Sequence, residues 1–393
     1  MADIPIYVKP IKLWDRLLDS TFLDENGRIK EDLKFKINIP QFNIQNSKIS
    51  GKPNDKFETT LFLPEGEDRQ GEGGLRTRGY FKHSYKLIDS EWYITDSGNN
   101  PAIPAPEDIQ SKIKQYLSSS AQYQIPITEF PLITVITVVY NGAKYLEATI
   151  LSVINQTYPN VEYIIIDGGS TDDTLDIIKK YEDYIDYWVS ERDKGISDAF
   201  NKGITLASGR LLGLINSDDW YELNAVETIV KSYSENNEGV YCGNLLYWKN
   251  NKKSHISESC PSKLYKEMTI NHPTTFISLE IYKKVGLFKL RYKYAMDYEL
   301  ILRIYKSGYP ICNLKTLLAN MRYEGKSDIN WYKAYKEVRE AKRENQFTAY
   351  KAFMYFLYHI IRNIIRELLT FTKLDFLVDF YRRKYSVMKK YKD

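Results

Sequence analysis

The sequence predicts an α/β protein built on a mostly parallel sheet with helices on both faces. Two observations carry that prediction. Between residues 130 and 325, short apolar runs alternate with segments of helical periodicity. The runs are apolar and β-branched at almost every position, the pattern of strands buried on both faces rather than one. A third observation fixes where a ligand would lie: each run ends in polar or acidic residues, and such sheets bind ligands beyond the carboxyl ends of their strands.

Taken in order, Ile133–Val139 reads as the first strand of this sheet, and Tyr145–Ile154 as a helix with apolar residues at Leu146, Ile150, Val153 and Ile154. Val161–Ile166 is a second strand closed by Asp167-Gly168-Gly169-Ser170, and Asp172 and Asp173 open the next helix. Tyr187–Ser190, Ile196–Ala207 and Leu211–Ile215 continue the alternation as strand, helix and strand. The crevice rule then gathers Tyr140, Asn141, Asp167, Glu191 to Gly195 and Asn216 to Asp219 around one site.

Upstream, Leu33, Phe35, Ile37 and Ile39, then Phe42 and Ile44, alternate with polar residues as half-buried strands do. The Gly-rich stretch through Gly71-Glu72-Gly73-Gly74 lacks the GK[ST] ending of a phosphate loop and reads as a loop outside the sheet, and Pro101, Pro104 and Pro106 read as a linker. A helix follows from Pro106 to Tyr123. Downstream, Phe353, Phe356, Leu357, Ile360, Ile361, Ile364, Ile365, Leu368 and Leu369 form an apolar helical stripe, before a basic tail from Tyr381 to Lys392. Such a helix either lies in a membrane interface or packs on the main domain. The expected division is 1–125 as an extension of unknown role with its linker, 126–330 as the α/β domain and 331–393 as basic amphipathic helices.

Composition narrows the classes. A chain of 393 residues accommodates two or three units at ~150 residues each. With 43% hydrophobic and 27% charged residues it is neither disordered nor fibrous. Three scattered cysteines build no disulfide scaffold, which suits a reducing compartment. A net charge of +4 argues against nucleic acid as partner. The charge is unevenly spread, however. Residues 331–393 hold fifteen Lys/Arg against seven Asp/Glu, so a basic C-terminal module joins a mildly acidic body and points to an anionic surface. The N-terminus lacks a signal-peptide pattern, and the apolar run Ala352–Ile361 is half of the ~20 residues a membrane span requires. The expected location is cytoplasmic, peripheral on the inner face of the cell membrane.

The candidate chemistry centres on Leu211-Leu-Gly-Leu-Ile-Asn-Ser-Asp-Asp-Trp220, an apolar strand running into paired acids. Adjacent carboxylates at a crevice are costly unless a cation neutralises them, and Mn²⁺ or Mg²⁺ favours one or two carboxylates plus phosphate oxygens; a solvated turn is the other reading of Asp218 and Asp219. Asp167 can accept hydrogen bonds from a base or ribose, or shape its own turn. Asp297, opening an amphipathic helix in Tyr294-Ala-Met-Asp-Tyr-Glu299, is a cap or a general base.

Together these segments resemble the family 2 glycosyltransferases of the GT-A fold, over about Pro131 to Tyr323. The resemblance rests on Val138-Val-Tyr-Asn-Gly142, Ser152-Val-Ile-Asn-Gln156, Ile166-Asp-Gly-Gly-Ser-Thr-Asp-Asp-Thr174, the stretch Ser190 to Gly203, Asn216-Ser-Asp-Asp219, Asn271-His-Pro-Thr-Thr-Phe276 and Ala295-Met-Asp-Tyr-Glu299. It is similar to the branch that builds bacterial exopolysaccharide, capsule and O-antigen. The resemblance implies that Asp167 binds the nucleotide base, with Thr137, Tyr140 and Asn141 in the same pocket. It implies Asp218 and Asp219 at the diphosphate and metal, Lys194 pairing with phosphate or with Asp167, His272 on the acceptor side, and Asp297 as catalytic base. Two departures stand out: Asn216 replaces an acid often found at that position, and Met296 replaces the acid before the base.

The implied reaction is a single inverting displacement: a nucleotide-diphosphate sugar, a UDP-sugar first among them, donates to a hydroxyl of a glycan or polyprenyl-diphosphate-linked acceptor. Two alternatives are a nucleotidyltransferase that makes a nucleotide sugar, and a non-catalytic sugar-nucleotide-binding protein.

Overall fold

The computed structural model describes residues 60–95 (save 65 and 67), 101–119, 128–233, 238–322 and 330–372, with positions 374, 377 and 389–390 beyond. The strands expected within residues 33–44 and most of the basic tail lie outside the described residues.

In chain order the first elements are β1 (Gly71–Gly73), β2 (Tyr85–Ile88), β3 (Glu91–Thr95), β4 (Pro101–Pro104), α1 (Glu107–Ser119) and β5 (Glu129–Phe130). The central domain follows as β6 (Ile133–Val139), α2 (Leu146–Ile154), β7 (Val161–Asp167), α3 (Thr174–Lys180), β8 (Tyr187–Ser190), α4 (Ile196–Leu206), β9 (Leu211–Asn216), β10 (Trp220–Tyr221) and α5 (Ala225–Ser232). It continues through β11 (Val240–Lys249), β12 (Lys252–Ser257), β13 (Phe276–Ser278), α6 (Leu279–Val285), α7 (Met296–Lys306) and β14 (Ile311–Arg322). Last come α8 (Trp331–Glu344), α9 (Ala349–Phe371) and β15 (Lys389–Lys390).

The main sheet runs β1-β8-β7-β6-β9-β13-β11-β12-β15, with β14 beside β11 and β10 beside β14. β8, β7, β6 and β9 are parallel, as the β-branched runs predict, while β13 is antiparallel to both β9 and β11. The register lines up the carboxyl ends: Val139 pairs with Asp167, Asp167 with Ser190, and Val138 with Asn216. Side chains of β6 alternate between two cores. Ile133, Val135 and Val139 pack with α1, α2, α3 and α5 on one face; Ile136 and Val138 pack with α4, α6, α7 and Ala341 of α8 on the other. This is the mixed, mostly parallel sheet with helices on both faces that the sequence predicts.

Two expectations for the N-terminal region are corrected. The Gly-rich stretch is not a loop outside the sheet: Gly71, Glu72 and Gly73 pair antiparallel with Ser190, Val189 and Trp188, so β1 closes the edge of β8. Glycine is needed because the strand lies on an indole; a Cβ at Gly73 would sit 2.7 Å from Trp188 Nε1. Pro101–Pro104 is likewise a strand, the edge of a small sheet ordered β4-β3-β2-β5, where missing N–H groups cost no pairing on the open side. Buried ion pairs fasten this region to the sheet: Arg76 reaches Glu162 at 2.6 Å and Lys82 reaches Asp186 at 2.8 Å.

The C-terminal helices are also built onto the domain. Glu337 of α8 accepts from the backbone N–H groups of Lys293 (3.0 Å), Tyr294 (2.7 Å) and Ala295 (2.9 Å), the three residues immediately before α7. The α9 helix turns Ala352, His359 and Asn363 inward, and leaves Phe353, Leu357, Ile361, Ile364, Ile365 and Leu368 substantially exposed. Among the described residues no helix is long and apolar enough to cross a membrane.

Candidate active site

The aligned carboxyl ends of β6, β7 and β8 open onto a cleft of about 610 Å³. Tyr140 forms one wall with its ring 65% exposed, Gly168 and Gly169 form the floor after β7, and Arg192 and Asp193 come from the loop after β8. Asp68 and Gln70 supply the remaining wall, although they lie some seventy residues upstream. Their segment is held down by the backbone hydrogen bond from Gln70 N–H to Ser190 O (2.8 Å) and by Arg69, whose guanidinium binds Glu191 at 2.8 Å. Glu191 also accepts from Lys202 at 2.7 Å; burial raises its pKa, but these two cations outweigh it and hold the group below the ordinary carboxylate range. Sequence reasoning placed residues 191–195 at the crevice and missed Asp68 and Gln70, which no local pattern connects to the sheet.

Asp167 ends β7 as expected, yet its side chain is wholly buried. Oδ2 accepts from Ser170 N–H (3.0 Å) and Ser190 Oγ (2.5 Å), and Oδ1 from the Ser170 hydroxyl. It therefore pairs with two serines rather than with Lys194. Lys194 is exposed on the loop before α4, and its N–H donates to Asp198 (3.0 Å). Asn141, at φ +50°, ties the first two loops: its N–H donates to Ser170 Oγ (2.8 Å) and its Oδ1 accepts from Thr171 N–H (2.8 Å). Thr137 departs from expectation. It shares a face with Val135 and Val139, is fully buried, and bonds to Tyr163 OH at 3.0 Å, so it stands in the core rather than on the cleft wall.

Asp193 faces the cleft. Its Oδ1 accepts from Gly195 N–H (2.7 Å), and its Oδ2 lies against Gly168, where a Cβ would be only 2.5 Å away. Burial raises its pKa, with Asp198 and Asp167 adding to the effect against the Gly195 N–H and Lys202.

The paired acids follow β9 at the same edge of the sheet. Asp219 is fully buried, and neither of its oxygens has a partner in full hydrogen-bond geometry. Burial and the adjacent Asp218 push it well above the ordinary carboxylate range, while the Arg322 N–H and Asn216 pull weakly the other way. The Arg322 guanidinium lies between the rings of Tyr145 (4.2 Å) and Trp220 (4.5 Å), and donates to Asp218 O. Among the described residues no cluster of three or more His, Cys, Asp or Glu could hold a metal. Two adjacent carboxylates, one with both oxygens unpaired, are nonetheless the hard-oxygen donor set that Mn²⁺ or Mg²⁺ accepts when phosphate completes the shell, so the residues fit such an ion.

His272 opens a 3-10 turn (His272–Thr274) just before β13, and because β13 runs antiparallel to β9 this turn lies at the carboxyl end of β9. Its Nε2 is 3.7 Å from Asp297 Oδ1, with Asp297 31% exposed as the second residue of α7. Met296, which stands where the family resemblance implies an acid, is buried and its sulfur accepts from Ser197 Oγ at 3.0 Å, joining α7 to the start of α4 and hence to the Arg192–Gly195 loop.

A mixed sheet whose carboxyl edge gathers acids from consecutive loops defines an α/β ligand-binding domain. Residues 134–287 match the family model described as Glycosyl transferase family 2. The chain is 33% identical over 186 residues to an uncharacterized glycosyltransferase of Rickettsia typhi, covering 44% of this chain and 58% of that relative. It is 32% identical over 183 residues to an uncharacterized glycosyltransferase of Mycobacterium tuberculosis, covering 45% of this chain and 70% of that one. It is also 27% identical over 254 residues to the chondroitin synthase of Escherichia coli, covering 59% of this chain and 36% of the synthase. The chain thus belongs to glycosyl transferase family 2, and spans less than three fifths of the length of its Rickettsia relative.

Proposed function

We infer that the protein transfers a sugar, with inversion, from a nucleotide-diphosphate donor, a UDP-sugar first among the candidates, to a hydroxyl of a lipid-linked glycan in surface polysaccharide synthesis. The observation that carries this reading is the convergence, at one end of the sheet, of an aromatic-walled cleft, the Asp218-Asp219 pair and the His272–Asp297 pair. The cleft would hold the nucleotide, with its base on the exposed Tyr140 ring and the exposed Lys194 ammonium available to phosphate. Asp218 and Asp219 would hold Mn²⁺ or Mg²⁺, which when bound supplies the charge that makes a nucleoside diphosphate a good leaving group. Asp297, partly open to solvent at a helix N-terminus, takes the proton of the attacking hydroxyl; His272 stands beside it, 3.7 Å from its carboxylate, on the acceptor side. The E. coli relative is a chondroitin synthase, which agrees with a glycan acceptor.

The exposed stripe of α9 supports peripheral attachment to an anionic membrane, where a lipid-linked acceptor would be found, and the net +8 of residues 331–393 suits such a surface. The test of the reading is acceptor-free hydrolysis of a panel of nucleotide sugars with Mn²⁺. Release of one nucleoside diphosphate by the wild type, lost in Asp219→Ala, is the expected result. Release of pyrophosphate from a sugar phosphate and a nucleoside triphosphate would favour the nucleotidyltransferase instead.

A further inference from the structure

The expected base-binding carboxylate, Asp167, cannot reach a ligand: it is fully buried and both of its oxygens are engaged by Ser170 and Ser190. The cleft beside it carries two other carboxylates, Asp193 on one wall and Asp68 on the other, together with the Gln70 amide and the Arg192 guanidinium. The Asp193 carboxylate, set between Gly168 and Gly195, suits a neutral, flat group that donates hydrogen bonds to it. The exposed Tyr140 ring beside it offers that group a stacking face.

We propose that Asp193 is the specificity-determining residue that reads the Watson–Crick edge of the donor's base, and that it selects bases with a ring N–H there. Uracil and guanine carry such an N–H, at N3 and N1 respectively; cytosine and adenine present a ring-nitrogen lone pair at the same place, which a carboxylate repels. The geometry is prepared on both sides. Gly195 N–H fixes Oδ1 of Asp193 at 2.7 Å, and Gly168 provides the space that Oδ2 occupies. The carboxylate thus stands where a side chain on residue 168 would project, next to the Tyr140 ring. The upstream segment carrying Asp68 and Gln70 completes the base pocket from outside the family-matched residues 134–287.

This inference rests on the donor-binding reading above, and the experiment separates the two. The full chain, in buffer containing Mg²⁺, is titrated calorimetrically with UDP, GDP, CDP and ADP. Wild type is expected to bind UDP or GDP at least about tenfold more tightly than CDP and ADP. Asp193→Asn is expected to lose about tenfold or more in affinity for the preferred nucleotide and to discriminate less. Gly168→Ala, which displaces the carboxylate without removing it, is expected to act in the same direction, and it keeps the test open if Asp193→Asn misfolds. Unchanged affinity and order in both variants, or a wild-type preference for CDP or ADP, overturns the role of Asp193 while leaving donor binding intact. Absence of binding by every nucleotide, together with no turnover of any nucleotide sugar, overturns both.

Discussion

Glu337 reaches from α8 to cap the helix that carries Asp297, and replacing it with glutamine isolates that connection. In the structure its carboxylate accepts three backbone N–H groups at 2.7–3.0 Å, all at the positive end of α7. Glutamine keeps the volume, removes the charge and turns an NH₂ toward N–H donors. Hydrogen bonds to a charged acceptor contribute ~1.5–3 kcal/mol, and the helix dipole adds ~0.3–1 kcal/mol. Because Glu337 is only half-buried, the lower end applies, a loss of about 2 kcal/mol. In a folded unit of roughly 300 residues that corresponds to a fall of about 3 °C in Tm. The assay is thermal denaturation followed by near-UV circular dichroism, paired with steady-state kinetics. The start of α7 loosens while the cleft is untouched, so kcat should drop with the donor KM preserved. A Tm within about 1 °C of wild type, or a change confined to donor KM, would refute the reasoning.

Asp297→Asn should lower transfer by ~10²–10⁴-fold, the usual worth of a general base, while leaving nucleotide affinity intact; normal turnover would remove Asp297 from the mechanism. Glu162→Gln strands Arg76 in the interior and should cost about 3 kcal/mol in chemical denaturation. Burial raises the Glu162 pKa, but Arg76 and its other partners outweigh that and hold it low, so the pair's contribution is present above the ordinary carboxylate range and fades as acid protonates the folded group. His359, buried against Tyr335 and near Glu267, Arg362 and Lys342, has its pKa lowered by burial to about 4 from 6.5. The unfolded chain takes up that proton first, so stability should decline as pH falls between those values, and His359→Gln should flatten Tm against pH there. Paired changes Ile361→Glu and Leu368→Glu on the exposed face of α9 should abolish co-sedimentation with anionic vesicles at unchanged Tm; retained binding, or a shift only in sedimentation mass, would point to another occupant of that face.

The central sheet was legible because β6, β7 and β9 are buried on both faces and therefore written in apolar, β-branched residues. The acids at their ends were legible for a related reason: the apolar runs stop there, and a parallel sheet brings those stops together. Thr137 shows the limit of that reasoning, since a period of two sends it toward Tyr163 even though its neighbours in sequence approach the cleft. The β1 strand was illegible because Gly-Glu-Gly has no apolar alternation; its state is set by the free edge of β8 and the flat face of Trp188. Asp68 and Gln70 were missed on the same account, being placed by β1 pairing and by the Arg69–Glu191 contact, neither of which leaves a local pattern. On the other side, Met296 and the Glu337 cap are long-range features that join helices remote in sequence.

The short strand at the rim of the sheet also governs how the molecule can be divided. A fragment trimmed to the family-matched segment would bare the outer row of amide and carbonyl groups along β8, beside the Trp188 indole that β1 now covers. Naked rims of this kind recruit strands from neighbouring molecules. Such a fragment should precipitate or form mixed oligomers, whereas one that begins before residue 60 should stay dispersed. The unit that folds is therefore wider than the unit that the family shares.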